Sequence, residues 1–270
     1  MNSKQIAGLI GRRLWLRRLA YLVIRITTLR EWYIRRSLRQ IIRSLPPAFS
    51  MLDLGCGLGQ HVYACARIRP LARITALEVD AMQAGDLADF MQRRGLLQVS
   101  VLCADAERWS GPGDFDLVLC GSVLEHLPND VHMAAVINEQ LKPGGCVLVY
   151  VPSGETRVIP YLARKMEREL QASGKKLPHD HVRYYTPPQL RRLLEDAGLT
   201  VLQERITYGR WGKWAYDVVT LVQFSRYVKV ILPLYLLLLH PFVLLLMWLD
   251  MHADNRQGNG VLMIAQKAKG

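Results

Sequence analysis

Residues 51–60 read MLDLGCGLGQ, and their spacing suits the chemistry of holding a cofactor. Gly55, Gly57 and Gly59 stand at alternate positions, after apolar Met51, Leu52 and Leu54 and close to Asp53. Glycine enters positive φ at little cost and lets backbone approach a ligand with no Cβ between them. A short buried strand, a glycine turn and a helix starting near Gln60 together make a cradle. The spacing is G-x-G-x-G, not the G-x-G-x-x-G of dinucleotide folds. Glu78 ends the next apolar run, RITALEV, roughly 20 residues further on, where an acid can accept hydrogen bonds from ribose hydroxyls. Asp80 is its neighbouring rival for that role.

Proton transfer needs a different set of side chains. His126 follows another apolar run, and an imidazole can take a proton near neutral pH. His181 and Tyr184 are the next candidates, in a stretch that also holds His179 and Asp180. Glu125–His126 equally suits a helix cap or a loop anchor.

The elements that must position these groups alternate along the chain. QVSVLCAD (98–105) repeats the pattern of strand and then acid. Phe115 to Cys120 reads as a fourth strand, and LKPGGCVLVYV (141–151) as a Pro-Gly-Gly turn feeding a fifth. Leu199–Thr207 and Val261–Gln266 complete the set.

In this order the motifs resemble those of the class I S-adenosylmethionine (SAM)-dependent methyltransferases, whose first motif is similar to D-x-G-x-G-x-G. Phe115–Leu127 and HDHVRYYTPPQLRRLLEDAGLTVL (179–202) resemble segments of the broad type that includes ubiquinone-pathway and glycan-cluster methyltransferases. The resemblance implies an α/β fold: a Rossmann-like, seven-stranded mixed sheet with helices on both faces, its last strand inserted antiparallel. It implies SAM as cofactor, held by Asp53, Gly55, Cys56, Gly57, Gly59, Glu78, Val79, Asp105, Ala106 and Cys120. Asp105 and Ala106 would lie beside the adenine. Some quinone O-methyltransferases of this type bind a metal through a stretch similar to C-x-E-x-x-E-H. Here Ser122 replaces the first acid, and no metal is expected.

Five cysteines form no C-x-x-C pair, so neither a disulfide framework nor a metal site is implied, which fits a reducing cytosol. Charge is uneven. Residues 1–45 carry +10 of the formal +12, with ten arginines, Lys4 and one acid, Glu31. Apolar residues interleave at three- and four-residue steps, as in an amphipathic helix. An arginine-rich helix with Trp15 and Trp32 suits an anionic membrane surface, with packing on the domain as the alternative. Nucleic acid ranks below both, because the segment is too apolar for a solvated arm.

Residues 230–249, VILPLYLLLLHPFVLLLMWL, contain no acid, Lys or Arg and have the length of a membrane span. A single crossing would separate the last strand from its partners. A hydrophobic helical hairpin that enters a membrane without crossing it is therefore expected. A dimer interface or a lid packed on the domain is the soluble alternative. The organisation expected is a basic helical segment (1–45), a SAM-binding domain (46–207), a membrane-associating insertion (208–259) and the last strand (260–270). The expected activity is methylation, at oxygen, of an amphipathic or lipid-linked acceptor at the cytoplasmic face of a membrane. A soluble glycan or metabolite acceptor and a non-catalytic SAM-binding subunit are the rivals.

Overall fold

The computed structural model describes residues 14–153, 168, 182–223, 232 and 234–269. Strand β1 (Ser50–Leu54) is buried along its whole length, as expected of a central parallel strand covered on both faces. It pairs in parallel with β2 (Arg73–Glu78) on one side and β4 (Phe115–Gly121) on the other. β3 (Val99–Cys103) extends the sheet beyond β2, and β5 (Leu141–Pro152) extends it beyond β4. β7 (Gly260–Lys267) inserts antiparallel between β5 and β6 (Leu199–Thr207). The order is β3-β2-β1-β4-β5-β7-β6, the seven-stranded mixed sheet that the motifs implied. Strand order reverses between β1 and β4, and open α/β sheets bind ligands at such switch points.

Two apolar layers cover the sheet. One is built on α3 (Gln60–Ile68) and α4 (Ala81–Arg93), with Val62, Cys65, Leu87 and Phe90 facing in. The other uses α5 (Asp130–Gln140) and α6 (Pro187–Asp196), through Met133, Ile137, Leu190 and Leu194.

The N-terminal segment differs from a single amphipathic helix. A corner at Thr28 divides it into α1 (Leu14–Thr27) and α2 (Leu29–Ser44). Tyr33, Ile34, Leu38 and Ile42 of α2 are buried in the first layer, so this stretch is part of the core. Arg17 is 1% exposed rather than wet. Its guanidinium lies 5.1 Å from the centre of the Phe90 ring, a cation–π contact that offsets part of its desolvation.

Between β6 and β7 the chain forms α7 (Arg210–Gln223), a π-helical turn over Tyr235–Leu239 and α8 (His240–His252). α7 and α8 pack on each other. Pro241 stands in the first turn of α8; it has no N–H to donate and its ring crowds the carbonyl one turn earlier, and the wider π turn stands at that place. Asp250 is fully buried and ties the pair to α2. The Tyr33 hydroxyl donates to Oδ2 of Asp250 at 2.9 Å, and the Gly212 N–H donates to Oδ1 at 2.8 Å.

Candidate active site

The glycine loop turns because all three glycines take left-handed φ, +66° at Gly55, +53° at Gly57 and +74° at Gly59. They do different work. A Cβ at Gly59 would lie 2.4 Å from Leu87, so that position is closed by packing. A Cβ at Gly57 would meet nothing within 4 Å, so that backbone faces open space. Gly59 begins α3 with no side-chain cap, which leaves its first N–H groups for a ligand.

Glu78 reaches back to the loop. Its Oε2 accepts from Gly57 N at 2.9 Å and its Oε1 from Asp80 N at 3.0 Å. Asp80 is the N-cap of α4, accepting from Met82 N and Gln83 N through Oδ1. That employment separates the two rivals: Glu78 lies at the loop, and Asp80 closes a helix. Val79, next to Glu78, is 71% exposed, an apolar surface beside the cradle. Cys56 and Cys120 are buried, and burial pushes both thiols up beyond the range of a reactive thiolate. Asp105 is bound in a local turn, its Oδ1 accepting from Glu107 N at 3.0 Å, and Ala106 packs on the second apolar layer.

Asp53 is buried, and its Oδ2 has no hydrogen-bond partner. Burial raises its pKa well above the ordinary carboxylate value, with the negative charges of Glu31 and Glu78 adding to the effect. Glu31, from α2, is also buried and raised, chiefly by burial. His61 Nε2 lies 3.4 Å from Glu31, but burial pushes its pKa down to about 3, with Arg30 and Arg35 acting in the same sense. His61 is therefore neutral at pH 7. An acidic, partly unsatisfied floor under an open glycine loop fits a cofactor that carries an ammonium and a sulfonium. These residues fit SAM.

The substrate side begins at the end of β4. Ser122 has φ +62°, a left-handed conformation that side chains seldom adopt and that clusters at functional sites. Its hydroxyl accepts from Arg30 at 2.7 Å, and the Arg30 guanidinium lies 6.0 Å from the Tyr150 ring centre. His126 is exposed at the end of a one-turn 3₁₀ helix, Leu124–His126. Glu125 before it is 1% exposed, with neither carboxylate oxygen hydrogen-bonded. Val182 N donates to the Glu125 carbonyl at 2.8 Å, which brings the stretch containing Tyr184 to this turn. Tyr184 is exposed and lines a cavity of about 580 Å³ with Asp130 and Arg183. His181 lies outside the described residues.

Sequence reasoning assigns Glu31, His61 and Arg30 no role in the site. One signal was available: Glu31 is the single acid in a strongly basic segment.

A family model described as a methyltransferase domain matches residues 25–204. The ubiquinone biosynthesis O-methyltransferase of Burkholderia pseudomallei (strain 1710b) is 27% identical over 158 residues, 58% of this chain and 67% of that protein. The enzyme of the same name from Aeromonas salmonicida (strain A449) is 29% identical over 153 residues, 56% of this chain and 63% of its own length. Among solved structures, Haemonchus contortus phosphoethanolamine N-methyltransferase 2, in complex with S-adenosyl-L-methionine, superposes with a TM-score of 0.58 at 14% identity. That match covers 86% of this chain and 52% of the other. The [4+2]-cyclase SpnF superposes equally well, at 0.58 and 23% identity over 87% of this chain and 82% of its own, so likeness of fold does not by itself fix a reaction. The family match spans the sheet from β1 into β6, including the glycine loop and Glu78, and on that ground the chain belongs to the class I SAM-dependent methyltransferases.

Proposed function

We propose that this methyltransferase acts on an oxygen of an amphipathic acceptor at the cytoplasmic face of a membrane: a lipid-linked sugar, a quinone precursor or another lipid. The observation that carries this reading is where the apolar insertion leaves the sheet. Thr207 of β6 and Pro152 of β5 are both register partners of Gly260 in β7. Residues 208–259 therefore depart and return at the carboxyl end of the parallel strands, the end that bears the glycine loop. Tyr235–His252 is one helix long and apolar enough to cross a bilayer, and 39% of it is buried. Leu237, Leu238, Phe242 and Trp248 are exposed along it. A segment whose two ends are hydrogen-bonded neighbours in one sheet cannot end on opposite sides of a bilayer. Shallow entry satisfies both the apolar face and the strand pairing. The names of the ubiquinone-pathway relatives support oxygen as the attacking atom.

SAM, when bound, supplies a methyl group made electrophilic by its sulfonium. In this reading Asp53 holds its ammonium and Glu78 its ribose hydroxyls. Gly55, Gly57 and Gly59 give the backbone approach, Val79 offers apolar contact, and Asp105 and Ala106 border the adenine. Cys56 and Cys120 serve only as small buried walls. His126 takes the acceptor's proton, with His181 and Tyr184 as its alternatives. Such residues act largely by holding reactants in line, and a base within hydrogen-bond reach adds to that.

The test is incubation of the full chain with methyl-labelled SAM and a total lipid extract, followed by identification of the labelled product. Label in a lipid-phase methyl ether supports the reading. Label confined to water-soluble products, with the lipid fraction blank, overturns it.

A further inference from the structure

The cofactor cradle makes no use of the outer face of α2. Arg36, Arg39 and Arg43 recur there at three- and four-residue steps, so they share one side of the helix. Arg25, at the end of α1, adds a fourth charge to the row. The Trp32 indole N–H donates to the Arg25 carbonyl at 2.6 Å, holding the last turn of α1 against the first of α2. Between this row and α8 lies a cavity of about 960 Å³ lined by Arg25, Arg35, Arg36, Arg39, Arg43 and Trp32. Its remaining walls include apolar Ile26, Leu244 and Met251.

The cations crowd one another. Arg35 has its pKa lowered, first by burial and then, against the pull of Glu31, by Arg39 and Arg25. Glu31 meets Arg35 at 3.7 Å, but it is buried under the cofactor loop and is not free to serve the row. Among the described residues no carboxylate forms a salt bridge with Arg25, Arg36, Arg39 or Arg43. Like charges at these spacings weaken a helix, so a counter-charge in the groove would relieve the row. Guanidinium groups present forked donors that match phosphate oxygens.

The occupant must also be apolar at one end. The Leu244 and Met251 wall belongs to α8, whose outer surface continues as exposed Phe242, Leu245 and Trp248. A free phosphate would leave that wall uncovered, and a solvated nucleic acid would meet it unfavourably. We propose that this groove binds the phosphate headgroup of an anionic membrane lipid, whose acyl chains run along the exposed face of α8. The site rests on the membrane reading above and adds to it a defined headgroup seat, apart from the cofactor cradle. It would also orient the enzyme, because α8 and the groove then meet the bilayer together.

The experiment is flotation of the full chain with vesicles of phosphatidylcholine, with or without phosphatidylglycerol. Two charge-matched variants are compared: Arg36→Glu/Arg39→Glu/Arg43→Glu in the groove, and Arg67→Glu/Arg93→Glu/Arg94→Glu on exposed positions elsewhere. Wild type should favour the anionic vesicles. The groove variant should lose roughly a hundredfold in partitioning to them. The control should lose only a few-fold, and both variants should keep SAM affinity and binding to neutral vesicles through α8. If charge reversal disturbs folding, seen as lost SAM binding, the Arg→Gln set at the same three positions should give the same ordering. Equal losses in the groove and control variants overturn the proposal, since the charge would then act diffusely. Binding of a single-stranded RNA oligomer that only the groove variant loses, with vesicle partitioning unmoved, also overturns it. Wild type that ignores vesicles of both compositions sinks the membrane reading itself, an outcome distinct from the loss of headgroup preference alone.

Discussion

The backbone N–H of Gly57 donates to Oε2 of Glu78 at 2.9 Å, so the end of β2 latches the glycine loop. The same carboxylate fixes Asp80 through its other oxygen and keeps lone pairs for a ligand diol. Glu78→Ala should therefore loosen the loop and remove an acceptor together, weakening SAM binding by about 1–3 kcal/mol. Glu78→Gln keeps one acceptor oxygen and should lose less. Gly57→Arg should abolish binding, because the side chain would fill the open space above the loop. Calorimetry on the three variants decides this; wild-type affinity in Gly57→Arg would remove the loop from the site.

Asp53 makes a prediction with a sign. Its pKa in the folded protein is raised, by burial first and then by Glu31 and Glu78, above the unfolded value of about 3.9. A raised acid contributes stability that is present below the unfolded value and is lost as pH rises through the folded one. Thermal stability without ligand should fall as pH climbs from about 4, and Asp53→Asn should flatten that fall. A cationic cofactor favours the ionised carboxylate, so SAM should bind more tightly as pH rises and should release a proton. Asp53→Asn should thus gain stability at neutral pH and lose SAM affinity. Melting curves with and without SAM across pH test both halves, and unchanged affinity in the Asp53→Asn protein ends the assignment.

The parts of this site that were legible in the sequence are local. Strand, glycine spacing and helix lie within Met51–Gln60, and each signal depends on neighbours a few positions away. Glu78 was legible because an apolar run ends on it. The Glu31–His61 contact was not, since it joins helices whose packing no local pattern encodes. The burial of Arg17 was not legible, because a stripe of arginines looks the same whether Phe90 covers one of them or not. The corner at Thr28 has no proline or glycine to announce it; the buried face of α2 sets it by docking on the sheet.

Asp250 supports a prediction about stability alone. It is fully buried and accepts from the Tyr33 hydroxyl and the Gly212 N–H, so it joins α2, α7 and α8. Asp250→Ala would strand the Gly212 N–H, while the Tyr33 hydroxyl keeps the Asp250 backbone carbonyl that it also meets at 2.8 Å, and should destabilise by about 1–3 kcal/mol. Tyr33→Phe removes a single donor and should lose less. Denaturant unfolding measures both. An Asp250→Ala protein of wild-type stability would mean that the helical pair is not held by this knot.

His126 is tested by separating binding from turnover. His126→Ala should keep SAM affinity and lose turnover by about 10²–10⁴-fold, the usual contribution of a positioned base. Tyr184→Phe, at the same mouth, separates the hydroxyl from the ring. Unchanged turnover in His126→Ala would remove that residue from the mechanism. Loss of folding would instead assign it to anchoring the turn after β4.

The last prediction tests the proposed membrane contact through the side on which α8 ends. Thr207 and Gly260 are paired across β6 and β7, so the residues after α8 must rejoin the side that bears the sheet. Gln257 is exposed between α8 and β7, and Gln92 is exposed on α4 within the catalytic domain. Single cysteines at these positions, in a Cys103→Ser background because Cys103 is exposed, report the two locations. Both should be shielded from an impermeant thiol reagent in intact cells and labelled together once cells are opened. The protein should stay membrane-bound in high salt, because screening weakens the arginine contribution and leaves the apolar contact of α8 intact. Replacing the exposed Leu236–Leu239, Phe242, Leu245 and Trp248 with polar residues should yield a protein that salt releases. Labelling of position 257 from outside, with position 92 still shielded, would establish a true crossing. It would also break the β6–β7 pairing on which the sheet order rests.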